Sequence, residues 1–179
     1  MLAPCLFVIG IAACGAQPTA TNLVTDGLKA QLAGNLSTAA TEYQKAIQLD
    51  SNTMVAHYDL GTVYDQQGDK TLAVEEYRAA LVIQPNFTDA LFNLAVDTTG
   101  SDPVTARQLY LKVLSLQPNY AAAWLNVGFI LESEGKGDEA KADWAKAVVL
   151  DPSLASHVPS PAPAAVGSGT PLPAPTSTP

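Results

Sequence analysis

The sequence predicts an all-α fold, a solenoid of four helix-turn-helix repeats followed by a disordered tail. Three observations carry this. First, several columns recur at one period: Ala39, Ala73, Ala106 and Ala140 are spaced by 34, 33 and 34 residues, and Tyr43, Tyr77, Tyr110 and Trp144 keep the same intervals. Ala46, Ala80, Val113 and Ala147 form a third such column, and Pro85, Pro118 and Pro152 a fourth. Second, each period contains apolar and small residues at helical spacing. In the second, His57, Leu60, Gly61 and Tyr64 share one helix face, and Ala73, Tyr77, Ala80 and Leu81 share another. Third, the two faces are separated by helix-stopping residues: Gly34-Asn35, Gly68-Asp69, Asp102-Pro103 and Gly135-Lys136-Gly137-Asp138.

Composition limits the function classes. The 179 residues carry 9 Lys plus Arg against 17 Asp plus Glu, for a formal net charge of −8. An acidic surface argues against nucleic acid as a partner. Every charged residue lies between Asp26 and Asp151, so both ends are different material from the middle. Residues 1–19 begin with the apolar run MLAPCLFVIGIAA, about a dozen residues, short of the roughly 20 a helix needs to cross a bilayer. A signal-peptide apolar region fits better. Ile11-Ala12-Ala13-Cys14 resembles the lipobox of bacterial lipoproteins, in which the leader is cut before a Cys that carries the lipid. Small side chains at Ala12 and Ala13 suit a narrow protease cleft, and Gly15 to Thr19 makes an uncharged tether. The resemblance implies lipidation at Cys14 and a place on the outer face of a membrane in the bacterial cell envelope. No Lys or Arg precedes Lys29, which departs from the basic start of a signal peptide. Secretion, or anchoring by an N-terminal helix from a start further upstream, stays open beside it.

The repeats are written 20–53, 54–87, 88–120 and 121–154. Gly61 with Ala73, and Gly128 with Ala140, allow the two helices of a pair to approach closely, and the Tyr43, Tyr77, Tyr110, Trp144 column supplies bulk beside them. A single pair cannot bury its own apolar face, so neighbours must stack. The pattern resembles the tetratricopeptide repeat (TPR). The fourth repeat carries Trp124, Val127, Gly128, Leu131, Ala140, Trp144, Ala147 and Pro152. The second carries Leu60, Gly61, Tyr64, Gly68, Ala73, Tyr77, Ala80 and Pro85. The first departs from the pattern at Asp26, a usually apolar position, and at Ser51, where Pro is usual. The third is one residue short in its turn and has Ala95 and Thr98 where Gly and an aromatic are usual.

The resemblance implies a right-handed α-solenoid whose first helices line a concave groove. The groove face falls at repeat positions 2, 5, 9 and 12: Thr21, Val24, Leu28 and Gln31 in the first repeat, Val55, Tyr58, Thr62 and Asp65 in the second, Asp89, Phe92, Val96 and Thr99 in the third, Ala122, Leu125, Phe129 and Glu132 in the fourth. Asn93 and Asn126 stand beside this stripe, where the family often uses Asn to hold peptide backbone; an amide can donate and accept at once. The candidate binding residues are Tyr58, Asp59, Phe92, Asn93, Leu125, Asn126 and Phe129. With no Lys or Arg on the stripe, the implied partner is an apolar protein segment with neutral or basic residues.

Nothing points to an enzyme. His57 stands where Trp124 stands in the fourth repeat and is expected in or near the core. Glu75-Glu76 and Asp138-Glu139 read as solvated charges rather than an acid/base pair. Gly135-Lys136-Gly137 is too short to cradle a phosphate. Cys5, Cys14 and His157 lie outside the repeats, so no cofactor, Cys/His metal site or nucleophile-base set is expected. Residues 155–179 hold seven Pro and no charge and cannot bury enough apolar surface to order. Because this tail follows the last repeat at once, the outer face of the last helix, near Trp144 and Val148, is expected to be uncovered. That implies an alternative role, a structural module that self-associates there, as a homo-oligomer.

Overall fold

A computed structural model describes residues 17–159. The Cys14 assignment and most of the tail lie outside the described residues. Among those residues all regular structure is helical: α1 (Ala20–Leu32), α2 (Leu36–Leu49), α3 (Met54–Gln67), α4 (Lys70–Ile83), α5 (Thr88–Thr98), α6 (Pro103–Leu116), α7 (Ala121–Ser133) and α8 (Gly137–Leu150). A 3-10 turn, Pro152–Ser156, follows. The chain divides after Leu116 into two compact units. The first holds three helix pairs, α1 to α6, and the second holds the pair α7/α8 with the 3-10 turn.

The helix ends follow from the residues that sequence reasoning singled out. Gly68 closes α3 at φ 83°, a left-handed conformation that costs a side chain energy and costs glycine none. Asp69 then caps α4, its carboxylate accepting from Leu72 N at 3.2 Å. Asp102 does the same for α6, accepting from Thr105 N at 3.1 Å, with Pro103 at the first helical position where no N–H is needed. In the fourth repeat α8 begins one residue before Asp138, with Lys136 at the cap.

Within a pair, the aromatic column lies directly on the small column. Tyr43 and Tyr77 are fully buried. A Cβ placed on Gly27 would fall 2.7 Å from Tyr43 Cε1, and one on Gly61 would fall 2.7 Å from Tyr77 Cε1. In the second unit the indole of Trp144 covers Gly128 in the same way. Between pairs of the first unit, Leu60 packs with Ala39, Ala40 and Tyr43 of the preceding repeat, and Leu94 with Ala73 and Tyr77. Asp26 occupies the Leu60 position in α1. No described helix precedes α1, so the site faces water and the carboxylate pairs with Lys29 at 2.9 Å.

A second recurring contact ties the second and fourth repeats to the turn before each. Trp124 Nε1 donates to the Pro118 carbonyl at 2.9 Å. His57, at the same repeat position, places Nε2 3.3 Å from the Ser51 carbonyl. Its Nδ1 lies 2.7 Å from Glu76 Oε2. His57 is thus half-buried as expected, whereas Glu76 is not a solvated charge: the next helix brings it onto the ring, and only Glu75 beside it is exposed.

At the end of α8 the expected uncovered face is relocated. Trp144 is only 4% exposed, because Gly128 lets its indole sink against α7, where Nε1 donates to the Leu125 carbonyl at 3.3 Å. The exposed apolar residues there are Val149, at 80%, and Leu150, with Val148 half-buried beside them.

Candidate functional site

The first helices of the three pairs in the first unit are joined by side chains. Gln31 Nε2 donates to Thr62 Oγ1 at 3.0 Å, linking α1 to α3, and Asn93 Nδ2 reaches Tyr58 Oη at 3.4 Å, linking α5 to α3. These bonds place α1, α3 and α5 side by side, with one face of each turned to solvent.

Which residues lie on that face differs from the sequence expectation. Position 12 is tied to the core. Tyr43 Oη donates to Gln31 Oε1 at 3.0 Å, Tyr77 Oη donates to Asp65 Oδ2 at 3.0 Å, and the Tyr110 and Thr99 hydroxyls lie 3.4 Å apart. A buried phenol must place its hydroxyl somewhere polar, and in every repeat of this unit it uses position 12. Position 5 is half-buried as well. The Tyr58 ring packs edge-on to Phe87 at 4.8 Å between centroids and tilted on Tyr77 at 5.9 Å, and the Phe92 ring meets Tyr110 at 5.6 Å. Exposure falls at positions 2 and 9 of the expected stripe, where Val55, Leu28 and Val96 each show between 41% and 45% of their surface. Asp59 and Asn93 are half-buried among them. In the second unit, taken by itself, Leu125 is buried at 8% while Phe129 is 39% exposed and packs against Trp144 at 5.4 Å; Asn126 is half-buried.

Asp59 is the electrostatic anomaly of this face. Its carboxylate makes no hydrogen bond or ion pair among the described residues, and burial pushes its pKa up to about 6. The folded chain therefore holds a proton more readily than the unfolded one. Stability contributed by the neutral form is present at low pH and is lost as pH rises through about 6. Asp59→Asn should accordingly stabilise the chain at neutral pH, by about 1 kcal/mol once solvent screening of this part-exposed group is allowed for. Denaturant unfolding of both forms should show that advantage shrinking to nothing by about pH 4, the ordinary carboxylate range.

A second acidic group escaped sequence reasoning. Lys70 Nζ lies 2.6 Å from Asp97 Oδ1 and 4.0 Å from Asp65 Oδ1. The Asp97 side chain is wholly buried and its Oδ2 has no partner. Burial and the Asp65 carboxylate raise its pKa, against the pull of Lys70. The signal was available in the columns: Asp97 occupies the repeat position of Val63 and Ile130, both buried. The cluster braces α5 against α4.

Among the described residues no group of three or more His, Cys, Asp or Glu could hold a metal ion, and no helix is long and apolar enough to cross a membrane. Residues 32–68 match the TPR repeat family and residues 55–87 the tetratricopeptide repeat family, so this stretch carries tetratricopeptide repeats. The photosystem I assembly protein Ycf3 of Cyanophora paradoxa is 34% identical over 74 residues, covering 40% of this chain and 43% of that protein. This chain thus spans less than half the length of that relative. Among solved structures, MamA aligns with a TM-score of 0.70 at 23% identity, over 76% of this chain and 81% of that one. The first TPR of Spaghetti (RPAP3), bound to the HSP90 peptide SRMEEVD, aligns with a TM-score of 0.62 at 20% identity, over 65% of this chain and 94% of that one. The fold is therefore the all-helical TPR architecture.

Proposed function

We propose that the chain is a non-enzymatic interaction scaffold that holds a protein segment on the first-helix face and, through lipid on Cys14, does so at the bacterial cell envelope. One observation carries the binding half: Val55 at position 2 and Leu28 and Val96 at position 9 stay exposed, with Asp59 and Asn93 half-buried beside them and no Lys or Arg at those positions of α1, α3 or α5. Apolar side chains with a few polar groups among them suit an apolar segment bearing neutral or basic residues. Support by likeness comes from a neighbour solved with a bound peptide and a relative named for its role in assembling a complex. The envelope half rests on the lipobox-like Ile11 to Cys14.

The binding half is tested with a peptide array probed by the whole chain. Asn93→Ala and Val96→Asp, both on the face, should each weaken capture about tenfold or more, the loss of about 1.4 kcal/mol. Tyr58→Ala belongs in the set only if its melting curve matches the parent, because that ring also packs on Phe87. Capture indifferent to Asn93→Ala and Val96→Asp rejects the face. For the anchor, fatty-acid labelling of the gene product should vanish in Cys14→Ser, and equal labelling rejects that site.

A second reading is favoured by the exposed Val149 and Leu150: a structural role in which the end of α8 mediates self-association. Sedimentation should then show a mass that grows with concentration and returns to monomer in Val149→Lys.

A further inference from the structure

We infer that Asp59 is the residue that reads charge on the bound segment, and that it takes a guanidinium: the ligand is an Arg flanked by apolar side chains. This rests on the segment-binding reading above and names the anchor within it. The other acidic side chains drawn into the first unit's packing each have a partner: Glu76 has His57, Asp65 has Tyr77, and Asp97 has Lys70. Among the described residues Asp59 alone in this group has none, although it is half-buried. An ionised carboxylate left part-desolvated and unpaired costs free energy in the free chain. An incoming cation removes that cost and adds a charge-assisted hydrogen bond, stronger here than on open surface.

The surroundings narrow the cation. Neither Asp59 oxygen is engaged, so two parallel N–H donors can be accepted at once, which matches the planar fork of Arg better than the single point of Lys. Val55 lies one turn before Asp59 on α3, and Thr62 less than one turn after. Leu28 of α1 and Val96 of α5 are exposed on the neighbouring helices. A side chain reaching Asp59 therefore passes over methyl groups, which suits the apolar stem of an Arg. No Lys or Arg of this chain stands at positions 2, 6 or 9 of α1, α3 or α5 to compete for the site.

The test uses the full chain and a phage-displayed library of random dodecapeptides, panned at neutral pH against wild type, Asp59→Asn and Asp59→Arg. Wild type should select peptides enriched in Arg by about fivefold or more, with Lys enriched less, and their binding should fall in Val96→Asp. Asp59→Asn, which the burial of this carboxylate predicts to be at least as stable as the parent, should lose the Arg enrichment while still selecting apolar peptides. Asp59→Arg should select Asp or Glu instead. Peptides that depend on Val96 but show no Arg enrichment would overturn the anchor and leave segment binding intact. Unchanged Arg enrichment in Asp59→Asn would place the cation elsewhere and likewise overturn it. Failure of wild type to select any peptide sensitive to Val96→Asp would remove both readings together.

Discussion

Tyr77→Ala is expected to destabilise the chain by about 3–5 kcal/mol, the range for deleting a fully buried aromatic ring. On a chain of this size that lowers the melting midpoint by on the order of 10–20 °C. The expectation is this large because the ring serves three neighbours at once. It lies on Gly61 within its own pair, packs with Leu94 of the next repeat, and sends its hydroxyl to Asp65. Tyr77→Phe keeps the ring and loses only the hydrogen bond, so it should cost about 1 kcal/mol. Circular dichroism melting of the three forms would distinguish them. An alanine form within about 1 kcal/mol of the parent would mean that the ring is not a shared core element.

Gly128→Val should be nearly as damaging, with a loss of about 3 kcal/mol from overpacking. Any side chain at Gly128 must enter the Trp144 indole, which is itself held by its bond to the Leu125 carbonyl. The third repeat shows how the fold accommodates a small side chain there. Ala95 stands there in place of glycine, in the repeat whose aromatic is Tyr110. The third repeat thus carries one methyl at this position, whereas the two γ-methyls of valine at Gly128 would have to enter the indole. Gly100→Ala makes the control, since a Cβ there meets nothing within 4 Å. Equal melting of the Gly128→Val and Gly100→Ala forms would show that α7 and α8 do not need their close approach.

Much of the fold was legible because repetition averages away local ambiguity. The breaks between helices, the caps at Asp69 and Asp102 and the Tyr-on-Gly contact all follow from columns read together. The face was legible only in outline. Positions 5 and 6 are neighbours on a helix, about 100° apart, and which of them turns to solvent is fixed by the stacking of the next repeat. Local spacing holds no record of that. Tyr58 and Phe92 therefore looked like open groove residues and proved half-buried, as Asp59 and Asn93 beside them also are. The His57–Glu76 pair was illegible for the same reason, since it joins two helices whose relative rotation the sequence does not state.

The phenol-to-position-12 bonds divide the first helices into two kinds of site. Gln31, Asp65 and Thr99 answer to the tyrosines beneath them, so a change there registers as lost folding whatever it does for recognition. Thr25 of α1 and Asp59 of α3 carry no such obligation. Descendants of this sequence could drift from one ligand to another by editing those two alone, and a designer seeking new specificity has the same short set of letters to rewrite.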